Sequence, residues 1–204
     1  MMRESLMLVI VLTIVCLLSA LALALVNNIT ASRIIEQKRI SQLNAVKKAL
    51  PYNKLLYDND PGKDMVRIEE WKEKDGKPKD IYVAKKQGEA VGFAFTSSGE
   101  GYGGIIIVMV GVSLDEKITG IEIIEHLETP GLGAIIEDPE LFKNQFEGKS
   151  MNGSQQGELI VVKGKTDKNW EVEAITGATI SSRGVVQAVN DGLACFRKYK
   201  DQLF

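Results

Sequence analysis

The hydropathy pattern opens with one uninterrupted apolar run, Leu6 to Val26, reading LMLVIVLTIVCLLSALALALV without a charge. As a helix rising about 1.5 Å per residue it spans roughly 31 Å, the thickness of a bilayer's hydrocarbon core. A secretory signal peptide is the rival, since Ala22-Leu23-Ala24 offers a small-residue cleavage site. Against it, the run exceeds the usual apolar region of about 7–15 residues, and Arg3 is followed by Glu4. A buried soluble helix ranks third, because the stretch has no polar face. Residues 1–30 are therefore read as an N-terminal membrane anchor. Arg3 on one side and Arg33, Lys38 and Arg39 on the other leave the charge count silent on orientation. Long domains translocate largely regardless of charge, which allows a cytoplasmic N-terminus and an extracytoplasmic C-terminal domain.

Beyond the anchor the pattern changes. Ile35, Ile40, Leu43, Val46 and Leu50 form an irregular apolar stripe among Lys, Arg and Gln, and Pro51 ends it. A helix over 31–52 follows, either a stalk continuing the anchor or a face for a membrane partner. Residues 51–79 are polar, with turns expected at Asp60-Pro61-Gly62 and Asp75-Gly76. Strands are then expected at Ile81–Lys85 and Ala90–Thr96 around Gln87-Gly88-Glu89, and at Ile105–Val112 and Ile118–Ile124 around Leu114–Lys117. The almost wholly apolar Ile105 run predicts a central strand covered on both faces. A Gly-rich loop, Thr129-Pro130-Gly131-Leu132-Gly133, leads to a short helical stretch. Asp138-Pro139-Glu140 signals a further helix start with Leu141, Phe142 and Phe146 inward. Strands are expected at Leu159–Val162 and Trp170–Ile175. Ser181 or Ser182 is expected to cap a last helix reaching about Tyr199, with Val185, Val189, Leu193 and Phe196 on one face. The fold class is α+β: an N-terminal transmembrane helix, then a single antiparallel domain over 53–204.

Composition narrows the chemistry. A net charge of −2 with scattered Lys and Arg gives no basic field for nucleic acid. Two distant cysteines, Cys16 and Cys195, and one His offer no disulfide framework, zinc site, protein-ligated haem or iron–sulfur cluster. Redox chemistry would need an added organic cofactor.

Thr176-Gly177-Ala178-Thr179-Ile180-Ser181-Ser182 lies between an expected strand and the last helix. Small residues there let backbone N–H groups approach a phosphate, which the positive end of a helix dipole favours. Composition alone reads the segment as a turn and cap.

The string Glu173-Ala174-Ile175-Thr176-Gly177-Ala178-Thr179 resembles the acceptor motif, D-x-x-[S/T]-G-A-T, of an FMN-binding domain family. That family occurs in the G-type subunit of Rnf complexes and in the C-type subunit, NqrC, of sodium-pumping quinone reductases. There the last Thr is joined to the FMN phosphate by a flavin transferase. Thr179 takes the acceptor position, Thr176 the [S/T] position and Glu173 the acidic one, where Glu stands for the usual Asp. Gly101-Tyr102-Gly103-Gly104 and His126-Leu127-Glu128-Thr129-Pro130-Gly131-Leu132-Gly133 resemble the family in matching order, so the likeness covers about residues 97 to 198. The chain's length is closer to the Rnf protein than to the larger NqrC.

The resemblance implies a covalent FMN on Thr179, with Thr176, Gly177, Ala178, Ile180, Glu173, Thr129, Gly131, Leu132, Gly133, Tyr102 and Gly103 around it. It implies an electron-carrier subunit with no independent substrate pocket. The implied partners are the other Rnf subunits of A, B, C, D and E types, above all the flavinylated D-type, with a flavin transferase during maturation and membrane lipid. An NqrC-like subunit, a stand-alone flavinylated carrier, and an unmodified membrane-anchored binding module are the alternatives. Each element also has a plain structural reading: the glycines of 101–104 as a bend, Thr129–Gly133 as a turn, and His126 as a structural residue at a strand end. Trp71 and Trp170 are assigned to packing, and Glu122, Glu125 and Glu128 to a solvated edge.

Overall fold

The structure is a computed structural model that describes residues 2–72, 78–154 and 156–202. The chain divides into two compact units, Met1–Ser41 and Gln42–Phe204. Helix α1, Met2–Ala49, is continuous, and its 48 residues extend roughly 72 Å. From Leu6 to Ile29 its large apolar side chains are exposed, as a helix clothed by lipid requires. Ile35 and Ile40 are exposed as well, so the expected stripe packs only in its last part. Ala45, Val46, Ala49 and Leu50 are buried within the second unit.

That unit is built on a five-stranded antiparallel sheet in the order β1-β2-β3-β4-β5. The strands are β1 Met65–Lys72, β2 Pro78–Lys86, β3 Glu89–Glu100, β4 Ile105–Ser113 and β5 Ile118–Glu125. β1 falls in the stretch expected to be turn-rich. Val66 and Ile68 alternate inward, but a bulge between Ile68 and Lys72 puts Trp71 three residues on, and the period of two is lost. A short helix, α2 Tyr52–Leu55, also lies where loop was expected. The turn expected at Asp75-Gly76 lies outside the described residues.

β4 is an interior strand, and both its faces are covered. Ile106, Val108, Val110 and Val112 face a large core, while Met109 joins a smaller one. The large core is closed by helix α3, Thr179–Tyr199, whose Val185, Val189, Leu193 and Phe196 are fully or almost fully buried. The smaller one holds Tyr82, Ala84, Ala94 and Met109 against Ala45, Val46, Ala49 and Leu50. Gly111 permits this approach: a Cβ there would lie 2.6 Å from the Ala49 carbonyl carbon. Thr119 Oγ1 donates to the Ala49 carbonyl at 2.6 Å.

Between β5 and α3 the chain makes two 3-10 segments, Gly133–Glu137 and Lys143–Phe146, and a pair of short strands, β6 Ile160–Val162 and β7 Glu171–Glu173. This pair is parallel, unlike the main sheet. Phe142 and Phe146 are buried as expected, but Leu141 is 65% exposed. The reason is local. Asp138 Oδ1 accepts the N–H groups of Glu140 and Leu141 in a tight turn, which points Leu141 outward where a helix would have turned it in.

Candidate functional site

Three segments converge at one end of the sheet. The first is the turn 101–104 between β3 and β4, closed by the Gly101 N–H donating to the Gly104 carbonyl at 2.8 Å. The second is the loop after β5, where the Thr129 carbonyl accepts from the N–H groups of Leu132 and Ala134. The third joins β7 to α3. Together they enclose a cleft of about 530 Å³, within the ordinary range for a small-molecule site.

Of the residues singled out from sequence, Tyr102, Thr129, Leu132, Gly133, Gly177, Ala178, Thr179 and Ile180 line this cleft. Glu173, Thr176, Gly131 and Gly103 are not in its lining. Glu173 lies further back, where its carboxylate accepts the Thr166 N–H at 3.0 Å. Its backbone N–H and carbonyl are both held by the Gln145 amide. Beside it, Lys168 and then Thr166 pull the Glu171 carboxyl below the ordinary glutamate range. The β7 end that feeds the cleft is thus pinned from two sides. Gly177 has a φ of +82°, a conformation that favours glycine, and it turns the chain from β7 into α3.

Thr179 is the first residue of α3. The N-cap position is Ala178, and no side chain caps the helix. The N–H groups of Thr179, Ile180 and Ser181 have no intrahelical partner by geometry, and these residues line the cleft at the positive end of the helix dipole. Neither Ser181 nor Ser182 is the expected cap, because both lie inside the first turn and bond elsewhere. Ser182 Oγ accepts the Ile175 N–H and donates to the Ala178 carbonyl, each at 3.0 Å. Ser181 Oγ donates to Glu128 at 2.5 Å.

The group that sequence reasoning missed is Glu128. A solvated edge was expected there, yet Glu128 is only 6% exposed and lines the cleft. Hydrogen bonds compensate its burial, as a buried carboxylate requires. Glu122 is also no solvated group, since it is paired with Lys143 at 2.5 Å and Lys48 at 2.7 Å. Of the three, Glu125 alone is exposed. The available signal was position: Glu128 sits inside the motif segment, directly before Thr129.

His126 has a structural role. Its Nδ1 accepts the Glu128 N–H at 3.0 Å, and Nε2 lies 3.0 Å from Glu137. Trp71 packs on Phe95 and Tyr199, and Trp170 lies under the Lys168 ammonium; neither lines the cleft.

The arrangement fits a phosphorylated, partly apolar ligand. Open N–H groups and a hydroxyl lie at the helix end, while Leu132, Ile180 and Tyr102, all substantially exposed, supply apolar walls. Residues 101–194 match the family described as FMN-binding domain. The chain is 37% identical over 191 residues to the G-type subunit of the Na(+)-translocating ferredoxin:NAD(+) oxidoreductase complex of Acetobacterium woodii, covering 92% of this chain and 89% of that one. It is 33% identical over 182 residues to the G-type subunit of the proton-translocating ferredoxin:NAD(+) oxidoreductase complex of Clostridium ljungdahlii, covering 89% and 86%. Among solved structures, NqrC of Shewanella oneidensis superposes with a TM-score of 0.53 at 26% identity, over 62% of this chain and 61% of that one. The C-type subunit of the Na(+)-translocating NADH-quinone reductase of Parabacteroides distasonis gives 0.59 at 22% identity, over 82% and 96%, a likeness of fold alone.

Proposed function

This chain belongs to the G-type family of Rnf ion-translocating oxidoreductase subunits, and on that premise we propose that it carries electrons through an FMN bound by a phosphoester to Thr179. The observation that carries the attachment is the placement of Thr179 at the uncapped start of α3, inside the cleft. Its oxygen bonds to the flavin-side phosphorus of a flavin phosphoanhydride, such as a flavin dinucleotide. The anhydride P–O bond breaks, a nucleoside monophosphate leaves, and the hydroxyl proton passes to a base of the flavin transferase. The free N–H groups of Thr179, Ile180 and Ser181 would hold the phosphate. Leu132, Ile180 and Tyr102 would offer an apolar wall to the flavin rings. FMN supplies the redox chemistry; the chain positions it.

The apolar length of α1 supports a seat in the cytoplasmic membrane, with the C-terminal domain proposed on the extracytoplasmic side. There a covalent bond prevents loss of a cofactor that is not replenished. The partners are the other Rnf subunits, foremost the D-type, and transport of Na+ or H+ belongs to the whole complex. A C-type role in a quinone reductase is the second reading, supported by the likeness to NqrC. The proteins that co-purify with the chain separate the two.

The test is in-gel flavin fluorescence after denaturation, on protein produced with the flavin transferase. Wild type is expected to fluoresce and Thr179→Ala to be dark. A dark wild type overturns the covalent reading and favours an unmodified binding module. A fluorescent Thr179→Ala moves the attachment to another hydroxyl.

A further inference from the structure

The cleft contains a carboxylate that the proposed attachment does not use. Glu128 is 6% exposed, and its two oxygens face different elements. Oε1 accepts the Gly103 N–H at 2.9 Å, from the turn between β3 and β4. Oε2 accepts the Ser181 hydroxyl at 2.5 Å, from the first turn of α3. The backbone of Glu128 itself belongs to the loop after β5. One side chain therefore joins all three segments that form the cleft. The fit is close: a Cβ on Gly133 would lie 2.7 Å from Ser181 Oγ, so the loop passes directly over this contact.

The same contact sorts the hydroxyls of the helix's first turn. Ser181 donates to Glu128, and Ser182 is held by the Ile175 N–H and the Ala178 carbonyl. Among the described residues no group hydrogen-bonds the Thr179 side chain. Every buried polar side-chain atom there has a partner, so the Thr179 oxygen must reach solvent. Of the three hydroxyls, only that of Thr179 is free to react.

We propose that Glu128 is a positioning residue, which fixes the cleft by spanning Gly103 and Ser181 and thereby leaves Thr179 as the acceptor of the flavin phosphate. The proposal rests on the flavinylation reading for its second half, and on the observed hydrogen bonds for its first. The span, rather than the charge, is what matters. A glutamine keeps the span: its carbonyl accepts from Gly103, and its NH2 donates to Ser181 Oγ, whose own proton turns back to the helix backbone. An aspartate keeps the charge but is one methylene too short to reach both partners.

The experiment compares wild type, Glu128→Gln and Glu128→Asp as full chains produced with the flavin transferase. Intact mass and peptide mapping give the fraction modified at Thr179. Amide hydrogen exchange of the unmodified chains reports on Gly103 and residues 179–182. Glu128→Gln is expected to stay near wild type in both readouts. Glu128→Asp is expected to lose about tenfold or more in the rate of modification, since displacement of a reacting group by ~1 Å costs up to about 10²-fold. It should also exchange the Gly103 amide faster. Normal modification and exchange in Glu128→Asp, or a defect confined to Glu128→Gln, would overturn the proposal. If wild type is never modified, the flavin reading fails on its own, and exchange at Gly103 still decides whether the span exists.

Discussion

On one face of the sheet, Phe93 and Phe95 of β3 meet Phe196 of α3, with ring centroids 5.3 and 5.6 Å apart. On the other, Ala84, Ala94 and Met109 meet Ala45, Val46 and Ala49 of α1. The first face is filled by large side chains that bury much apolar area. The second brings backbones together, with Gly111 under the Ala49 carbonyl and a threonine hydroxyl bonded to it. Hydrophobic stabilisation scales with buried area, so the α3 face should carry most of the domain's stability. The α1 face should instead fix where the helix rests, because small residues leave little slack for alternative packings.

Three substitutions test this division, the largest effect first. Phe95→Ala leaves a void where Trp71 and Phe196 also pack, and should cost about 3–5 kcal/mol. Urea denaturation of the domain measures it, and a loss below about 1 kcal/mol would mean that the α3 face does not carry the larger share of the stability. Gly111→Val sets a branched side chain against the Ala49 carbonyl and should cost about 1–3 kcal/mol. Its signature is local: trypsin should cut at Lys47 and Lys48 faster than at lysines of β2. Uniform acceleration would mean that both faces respond as one.

The smallest effect concerns the far end of α3. Glu116, in the β4–β5 turn, accepts from Arg197 at 2.7 Å and Lys200 at 3.2 Å. Burial pushes its carboxyl up, but Arg197 and Lys200 outweigh burial and hold it below the ordinary glutamate range. A depressed folded-state pKa stabilises above the unfolded value, near about 4.3, and that contribution fades as pH falls through the folded one. Glu116→Gln should therefore lower the melting temperature at neutral pH by an amount equivalent to about 1 kcal/mol or less. The difference from wild type should shrink below about pH 4. A gap that widens in acid would reverse the sign.

What the sequence disclosed divides along similar lines. The run Ile105–Val112 and the spacing Val185, Val189, Leu193, Phe196 announced the large core, because side-chain periodicity is written directly in the chain. β1 was hidden because its bulge breaks the period before Trp71. The packing of Ala45 and Ala49 was hidden because alanine does not mark a face. At the cleft, Thr179 and most of its lining were legible through the motif. Glu128 was not, since a carboxylate looks the same in sequence whether water or two donors surround it. Its partners, Gly103 and Ser181, stand 25 and 53 residues away.

The missing cap on α3 has a thermodynamic corollary. A side-chain cap on a helix contributes about 1 kcal/mol, and α3 begins without one. An anion seated on its first turn completes the helix, so folding and ligand binding are linked equilibria in which each favours the other. A tethered phosphate makes that linkage permanent, because its local concentration no longer depends on the surrounding pool. On the proposed attachment, the prosthetic group would belong to the secondary structure as much as to the chemistry, since it would supply at Thr179 the cap that α3 lacks.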